Sequence, residues 1–178
     1  MTLFGDKNNL TDRLIISRFL DTVGNGTGTK NAIGNYAAGT TEFKIVPAAG
    51  EIFVINRMIV QIRDSGQFTA STYGAIAALA NGIHIHVKDS GGIKVDLVDS
   101  LTIKTNAEWG RVCYDTQLIS WGVGDSFILV RWTFGRSGTQ IWLDNSRGDY
   151  LSADLNDDFT GLVSHYFMVQ GFNYTTPA

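Results

Sequence analysis

The hydrophobic pattern of the chain is dominated by one long run, residues 51–64, which reads EIFVINRMIVQIRD. Apolar residues recur at every second position on one side of this run and also occupy part of the other side. Many of them are β-branched, and neither Gly nor Pro interrupts them, which is typical of a β-strand. A helix is the competing interpretation, but consecutive Ile and Val residues form helices poorly. The run therefore predicts a central strand that is buried between two layers.

Shorter runs with the same alternation cover residues 42–46, 83–89, 93–99, 100–106, 127–134, 139–144, 150–155 and 165–174. Turn residues such as Asn81-Gly82 and Ser90-Gly91-Gly92 separate neighbouring runs. Residues 107–126 are predicted to mix a loop with a short strand. About eight to ten strands at this spacing, without a long amphipathic helix or an internal repeat, predict an all-β, jelly-roll-type sandwich of two sheets.

Residues 1–40 lack this regularity, and we interpret them as an N-terminal arm and a Gly, Asn and Thr-rich linker, with the sandwich domain at 41–178. The stretch TDRLIISRFLDTV (11–23) is either a short capped helix or an extended strand, and the extended form is the preferred interpretation. Its apolar side chains need a surface, which is either a partner protein or the arm's own domain. The arm residues that we expect to contact a partner are Arg13, Leu14, Ile16, Arg18, Phe19 and Leu20.

Composition narrows the possible functions. The 178 residues carry a net charge of −3, and only 17% of them are charged. This length predicts one domain with a substantial core, and the rarity of Glu favours strands over helices. The net charge gives no attraction to nucleic acid, and we expect none to bind. No apolar stretch approaches the ~18 residues of a membrane span. The N-terminus does not resemble a secretory signal, so we expect a protein that is made in the cytoplasm.

Two histidines, His84 and His86, lie two residues apart on one predicted strand, so both imidazoles project from the same face. Such a pair can bind zinc, copper or iron if further ligands arrive from elsewhere. The pair is similar to the first motif of the cupins, yet HIHVKDSGG has no Glu at the required distance and no second cupin motif follows. We expect a polar strand face that includes Lys88 and no metal, with a cupin-like metalloenzyme as the alternative.

A second cluster of oxygen donors lies in DLNDDF, where Asp154, Asn156, Asp157 and Asp158 follow one another closely. Calcium can use such a loop, but the spacing matches no EF-hand. Asx turns and a turn through Asp158 and Thr160 explain the cluster without a metal. We therefore expect no metal here either.

The tryptophans divide into two pairs. Trp132 and Trp142 fall within strand patterns and are predicted to belong to the core. Trp109 and Trp121 lie among polar residues and are the candidates for exposed rings that stack on a sugar. The lone Cys113 is predicted to be a small buried hydrophobe. The chain has no GxSxG, P-loop or HExxH motif, so we expect no enzyme, no catalytic residues and no cofactor.

Several runs of the chain resemble small proteins that are encoded among tailed-bacteriophage virion genes: GTGTKNAIGNYA, PAAGEIFVINRMIVQIRD, NGIHI, TNAEW, RWTFGRSG and LNDDFTGLVSHYFMVQGF. The resemblance extends over most of the chain, and its motifs are structural rather than chemical. Head decoration (cement) proteins of such phages often use jelly-roll domains, some of them similar to the trimeric C1q and tumour-necrosis-factor fold. They sit on the capsid surface and stabilise it against internal pressure.

The resemblance implies a virion protein, a homotrimer, that binds the major capsid protein on the outer surface of the capsid. It implies no catalytic residues. A receptor-binding or carbohydrate-binding module of a phage tail or fibre is the alternative, and it predicts that Trp109 and Trp121 are exposed together in a concave site.

Overall fold

The structure, a computed structural model, describes residues 15–98, 102–112, 116–120, 126–134 and 140–175. The described strands are β1 (Ile16–Phe19), β2 (Thr41–Ile45), β3 (Glu51–Asp64), β4 (Ile83–Asp89), β5 (Gly92–Asp96), β6 (Thr116–Ser120), β7 (Ser126–Thr133), β8 (Ile141–Asp144), β9 (Tyr150–Leu155) and β10 (Ser164–Thr175). A short helix, α1 (Asn106–Val112), precedes β6, and a 3-10 turn (Asn145–Arg147) follows β8.

These strands form two antiparallel sheets that enclose one hydrophobic core. The six-stranded sheet has the order β1-β10-β3-β7-β6, and β8 pairs with the first part of β3. The four-stranded sheet has the order β2-β9-β4-β5. From β1 to β4, and again from β8 to β10, each successive strand lies in the other sheet, which is the connectivity of a jelly roll. The predicted all-β sandwich of two sheets is confirmed.

The long strand β3 is central, as its sequence predicts. It pairs with β10 along its whole length and with β8 and then β7 on its other edge. A bulge at Asn56 shifts the register, because Gln170 pairs with Arg57 whereas Gly171 pairs with Ile55. A Cβ atom on Gly171 would lie 1.9 Å from the carbonyl oxygen of Val54, so the close approach of the two strands at the bulge requires glycine.

The N-terminal segment is part of the sandwich from residue 15 onward. Strand β1 is extended and pairs antiparallel with β10. Leu20 is fully buried, and its N–H donates to the carbonyl of Phe167 at 2.9 Å. Asp21 and Lys44 then exchange two backbone hydrogen bonds of 3.0 and 2.8 Å, which attach the same segment to β2 of the other sheet. The sequence left open whether the arm is helical or extended, and whether it packs on a partner or on its own domain. The described part of the arm is extended and packs against its own domain.

Helix α1 and the residues before it differ from the sequence prediction. The sequence predicts an edge strand over 100–106, but among these residues only Ile103 makes an isolated bridge, with Ile83, in the described part 102–106. The Glu108 carboxylate accepts hydrogen bonds from the N–H groups of Lys104 and Thr105, the second at 2.8 Å. Thr105-Asn106-Ala107-Glu108 thus matches the reach-back half of a capping box, a signal in the sequence that predicts a helix at this place.

Candidate functional site

The outward side of the six-stranded sheet carries apolar side chains on several strands, among polar ones such as Gln61, Arg63 and Arg131. The register places the apolar residues on that side, and we call them the apolar face: Phe19, Ile59, Phe127, Leu129, Tyr166 and Met168. Phe19, Met168 and Ile59 form one cross-strand row through β1, β10 and β3. Phe19 is 40% exposed, and its ring meets the Tyr166 ring edge-on at 5.8 Å between centroids.

The apolar face comes from β7 and β10, which place Phe127, Leu129, Tyr166 and Met168 outward, and from Ile59, which alternates with polar outward residues on β3. Their inward residues, such as Val60, Val130 and Phe167, are buried in the core. The outward neighbours Ile59 and Leu129 are also apolar, although they are only partly buried. An antiparallel sheet with one solvated side usually alternates apolar and polar residues. An outward side that departs from this rule over several strands is typical of a surface that another protein covers.

A second aromatic group lies on the same side beyond the bulge at Asn56. Trp142 of β8 is 49% exposed, and its ring stacks on Tyr174 with centroids 5.7 Å apart and planes 12° apart. Phe172 meets Tyr174 edge-on at 5.3 Å. The prediction that Trp142 belongs to the core is therefore wrong, because it alternates with the buried Ile141 and points outward. Trp132, predicted as core, is partly buried against the core.

The outward side of the four-stranded sheet has the opposite character. Its residues are joined by side-chain hydrogen bonds and ion pairs, and we call them the polar face: Glu42, Lys44, His84, His86, Lys88, Ser152 and Asp154. At its centre the Asp154 carboxylate accepts from Lys88 at 2.8 Å, from Ser152 at 3.1 Å and contacts His86 Nδ1 at 3.0 Å. Lys88 also donates to Glu42 at 2.6 Å. Burial alone lowers the pKa of Lys88, but its hydrogen bonds to Asp154 and Glu42 outweigh burial and hold that pKa above its usual value.

The two histidines of the predicted strand do lie on one face, as expected. Their rings stack with centroids 5.6 Å apart. His86 faces Asp154, and the Lys88 ammonium already lies against the same carboxylate. Among the residues that the structure describes, no group of three or more His, Cys, Asp or Glu side chains is arranged to hold a metal ion. The arrangement is that of a charge-paired strand surface.

The acidic residues at the end of β9 and in the loop that follows it have separate structural roles. Asp154 belongs to the polar face. The Asp157 carboxylate accepts the N–H groups of Ala80 at 2.8 Å and of Gly82 at 2.5 Å, which ties the loop to the turn before β4. Asp158 accepts the N–H of Thr160 at 2.8 Å, the turn that the sequence predicts. The hydrogen bonds between the carboxylate of Asp158 and Thr160 hold the pKa of Asp158 below its usual value.

The predicted partner-binding residues of the arm are divided by the structure. Arg13 and Leu14 lie outside the described residues. Arg18 binds Glu51 through two hydrogen bonds of 2.9 and 2.5 Å, and its guanidinium lies 4.7 Å from the Phe53 ring centroid. Leu20 is buried and Ile16 is partly buried against the core, so Phe19 is the arm residue that contributes to the apolar face.

The contact with Arg18 also lowers the pKa of Glu51. Burial alone raises the pKa of the Glu51 carboxyl, but the hydrogen bonds from Arg18 and from the N–H of Ala48 outweigh burial and hold that pKa below its usual value. Arg18 therefore stabilises the charged carboxylate at the start of β3. Its role in the described structure is to fasten β1 to the sandwich.

The two tryptophans proposed to stack on a sugar do not form an exposed pair in the described structure. Trp109 is fully buried on α1, so the expectation that its ring is exposed is wrong. Trp121 lies outside the described residues. The sequence suggested exposure because Trp109 is flanked by polar residues, but in a short helix the flanking residues point elsewhere.

The sandwich interior contains one histidine, His165 of β10. It is fully buried, and its Nε2 lies 3.1 Å from the Tyr73 hydroxyl. The rings of Tyr73, Phe159 and Phe167 surround it. Burial lowers the pKa of His165 from 6.5 to about 3, so the imidazole is neutral at pH 7.

Comparison with known proteins adds no relative. No protein-family model, no curated protein and no solved structure matches this chain. In the described part of the chain, no helix has the length and apolar character needed to cross a membrane.

Proposed function

We propose that this protein is a structural component of a tailed-phage virion that binds the outer surface of the capsid and stabilises it, as decoration (cement) proteins do. The proposal includes a homotrimer and the major capsid protein as the partner. It includes no catalysis. Three features support it: the sequence runs that resemble phage virion proteins, the jelly-roll sandwich, and an apolar outward face that suits contact with another protein.

The apolar face is the observation that carries the proposal. Removing apolar surface from water contributes about 25 cal/mol per Å², so a face of this kind favours association once a complementary protein surface is present. A protein that binds only the assembled shell stabilises that shell by its binding free energy, repeated over many copies. The polar face on the other sheet then remains in contact with water.

The arm takes a smaller part in this proposal than its sequence suggests. Arg18 and Leu20 stabilise the sandwich itself, whereas Phe19 extends the apolar face at the β1 edge. Arg13 and Leu14 remain proposed contacts of the partner. The capsid-binding surface is therefore centred on β3, β7 and β10, with the arm at its margin.

Reconstitution on capsids tests the proposal. Capsids of the phage that encodes this chain are prepared without it, mixed with the purified protein, and separated by density-gradient centrifugation. We expect on the order of hundreds of copies per capsid and a higher temperature of capsid disruption. A handful of copies per virion would instead indicate a tail or fibre component, and no association at all would remove the proposal.

Matched variants locate the contact. We expect Ile59→Arg, at the centre of the apolar face, to lower capsid affinity about a hundredfold by burying an unpaired charge. Ile33→Arg changes the same residue type at a position that is 37% exposed and outside both faces, and it should bind like the wild type. Circular dichroism establishes that both variants are folded. Sedimentation velocity on the free protein tests the trimer.

A further inference from the structure

The chain contains two Asn-Gly pairs, Asn25-Gly26 and Asn81-Gly82. In such a pair the backbone nitrogen of glycine can attack the side-chain amide carbon of asparagine, because glycine has no Cβ atom to hinder the approach. The fold places the two pairs in different surroundings. Gly26 lies in the exposed loop between β1 and β2, whereas Gly82 is buried in the turn before β4.

The side chain of Asn25 forms a turn with Thr27. Its Oδ1 accepts the N–H of Thr27 at 3.0 Å and the Thr27 hydroxyl at 2.6 Å. Such an Asx turn folds the side chain along the backbone that follows it. Oδ1 is also the atom that gains negative charge when a nucleophile adds to the amide carbon. The two donors therefore lie where they stabilise the transition state of this addition, as the donors of an oxyanion hole do.

The peptide nitrogen of Gly26 is accessible and only weakly held. A Cβ atom on Gly26 would have no heavy atom of the described residues within 4 Å apart from its chain neighbours. Burial raises the pKa of the nearby Asp21, but hydrogen bonds from the N–H groups of Gly24, Val23, Gly28 and Gly26, in decreasing order, hold that pKa below its usual value. Of these four N–H groups, that of Gly26 contributes least.

The second pair is fixed by the loop after β9. The N–H of Gly82 donates to the Asp157 carboxylate at 2.5 Å, and the side-chain amide of Asn81 donates to the carbonyl of Asn156 at 2.9 Å. A Cβ atom on Gly82 would lie 2.9 Å from the carbonyl oxygen of Ile103, so this peptide is enclosed. The glycine nitrogen must lose its proton before it attacks, and a carboxylate bound to the N–H opposes that loss.

We propose that Asn25-Gly26 is a site of spontaneous modification, at which Asn25 converts to aspartate and isoaspartate in the folded protein while Asn81 persists. The Gly26 nitrogen gives its proton to hydroxide and bonds to Cγ of Asn25. The Cγ–Nδ2 bond then breaks, and Nδ2 leaves as ammonia after taking a proton from water, which restores the hydroxide. Water opens the resulting succinimide at either carbonyl and gives the two products. Water is the only reagent consumed.

The modification changes a cleft beside β1. Asn25 lines this cleft, which has a volume of about 670 Å³, together with Phe19 and Lys30. A carboxylate is ionised at pH 7, so each converted chain gains one negative charge there. Isoaspartate also routes the main chain through the former side chain, next to the Gly24 carbonyl that accepts the N–H of Val46 at 2.8 Å. Conversion therefore alters both the charge and the backbone of the loop that joins β1 to β2.

Peptide mapping of aged protein tests the proposal. The purified wild-type chain is incubated at mildly alkaline pH, sampled over time, digested and analysed by mass spectrometry, with electron-based fragmentation to identify isoaspartate. In the folded protein we expect conversion at Asn25 to be at least about tenfold faster than at Asn81. In guanidinium chloride the two pairs should convert at similar rates, because the unfolded chain removes the different surroundings.

Matched threonine variants test the role of the turn. Thr27→Val removes the hydroxyl that donates to Asn25 and keeps the size and branching of the side chain. We expect conversion at Asn25 to become about fivefold slower, as for the loss of one hydrogen bond. Thr29→Val is the control in the same loop, since Thr29 is bound to Thr22 through its backbone N–H and carbonyl. It should convert like the wild type. Circular dichroism establishes that both variants are folded.

The remaining outcomes contradict the proposal. Equal rates at Asn25 and Asn81 in the folded protein, or an Asn25 that stays intact, would overturn it. A difference between the two pairs that persists in guanidinium chloride would show that the neighbouring sequence, and not the fold, selects the site. Faster conversion in Thr27→Val would show that the turn protects Asn25, which is the opposite of the proposed role.

Discussion

The two outward faces of this sandwich belong to sheets of the same core, yet their side chains differ in chemical character. On the polar face, Lys88 pairs with both Asp154 and Glu42, and His86 and Ser152 complete the network. On the apolar face, aromatic and aliphatic side chains that meet water in the isolated chain lie among polar ones such as Gln61 and Arg131. The polar groups of the first surface find their partners within the chain, whereas the second surface exposes apolar side chains to water.

This difference separates the two faces by what each contributes to the folded chain. A buried charge requires its partner within the same chain, so the polar face contributes to the stability of the monomer. An exposed apolar side chain contributes little to the stability of the monomer, and under the proposed function its contribution is to association. The two faces should therefore respond differently to substitution, to pH and to salt.

The strongest test removes the centre of the polar face. Asp154→Ala leaves Lys88 and His86 without their common acceptor in a site where Asp154 is only 7% exposed. We expect the free energy of unfolding to fall by about 3 kcal/mol, because Lys88 keeps only Glu42 as its acceptor, and the buried side chains of His86 and Ser152 lose their hydrogen bonds to Asp154. Urea denaturation measures the change.

The control for that test is Gln61→Ala, a substitution of a polar residue that lies among the apolar face residues on β3. Its effect should stay within about 0.5 kcal/mol, as for an ordinary surface position. Equal losses for the two variants would contradict the contrast between the faces.

The next largest effect comes from pH and distinguishes the polar face from the interior. His165 has a pKa of about 3 when folded and 6.5 when unfolded, so the unfolded chain binds the extra proton between these values. Its stabilising contribution is complete above pH 6.5 and falls by about 1.4 kcal/mol per pH unit as the pH decreases toward the folded pKa. Between pH 6.5 and pH 5 the expected loss is about 2 kcal/mol.

One histidine variant assigns this loss. Compared with the wild type, His165→Gln should lose about 2 kcal/mol of the pH dependence of the free energy of unfolding between pH 6.5 and pH 5. The interval lies above the range in which most carboxylates titrate. Retention of the full slope in His165→Gln would place the titrating group elsewhere.

The apolar face should be tolerant in the isolated protein. For Leu129→Lys we expect a loss of less than about 1 kcal/mol in the free energy of unfolding, since the side chain is only partly buried. We also expect higher solubility, because the substitution replaces an outward apolar side chain with a charged one. Chemical denaturation and light scattering against concentration measure the two quantities. A loss as large as that of Asp154→Ala would show that the apolar face is a structural surface.

The smallest expected effect lies at the rim of the polar face. Lys44 and Glu42 form an ion pair at 3.7 Å with side chains that are 29% and 27% exposed. Lys44→Gln should change the free energy of unfolding by less than about 0.5 kcal/mol, and added salt should reduce even this difference. Unfolding at low and high ionic strength checks the result. A large effect would mean that the network extends to its edge.

The sequence predicts the positions of the strands better than it predicts which side of each strand faces the core. The alternating run of β3 predicts a strand because β-branched residues recur at period two within its 14 residues. The same alternation separates Trp142 from Ile141 and Leu143, but it does not say which of two apolar sides faces the core. That choice depends on which strands become neighbours, and it decides whether an apolar outward row such as Ile59 and Met168 is a second core layer or a surface.

The candidate site was less predictable for the same reason. Arg18 and Leu20 look like partner-binding residues in the sequence because their own partners, Glu51 and β10, are far away along the chain. The sequence predicts an exposed Trp109 because the residues next to it along the chain are polar. In a helix, the residues that share a face with Trp109 are three and four positions away, and the capping signal at Thr105–Glu108 that predicts this helix is short. His84 and His86 were correctly placed on one polar strand face, since a period of two needs no knowledge of the rest of the fold.

The pairing of β1 with β10 has a consequence for the order in which the molecule is completed. Strand β1 (Ile16–Phe19) cannot pair with its neighbour in the sheet until the ribosome has synthesised β10 (Ser164–Thr175). Until then β3 also lacks a neighbour along one entire edge. Pairing between strands that are distant in sequence slows folding and leaves unpaired strand edges that can aggregate with other nascent chains. Expression at low temperature or at a lower rate should therefore raise the yield of soluble protein.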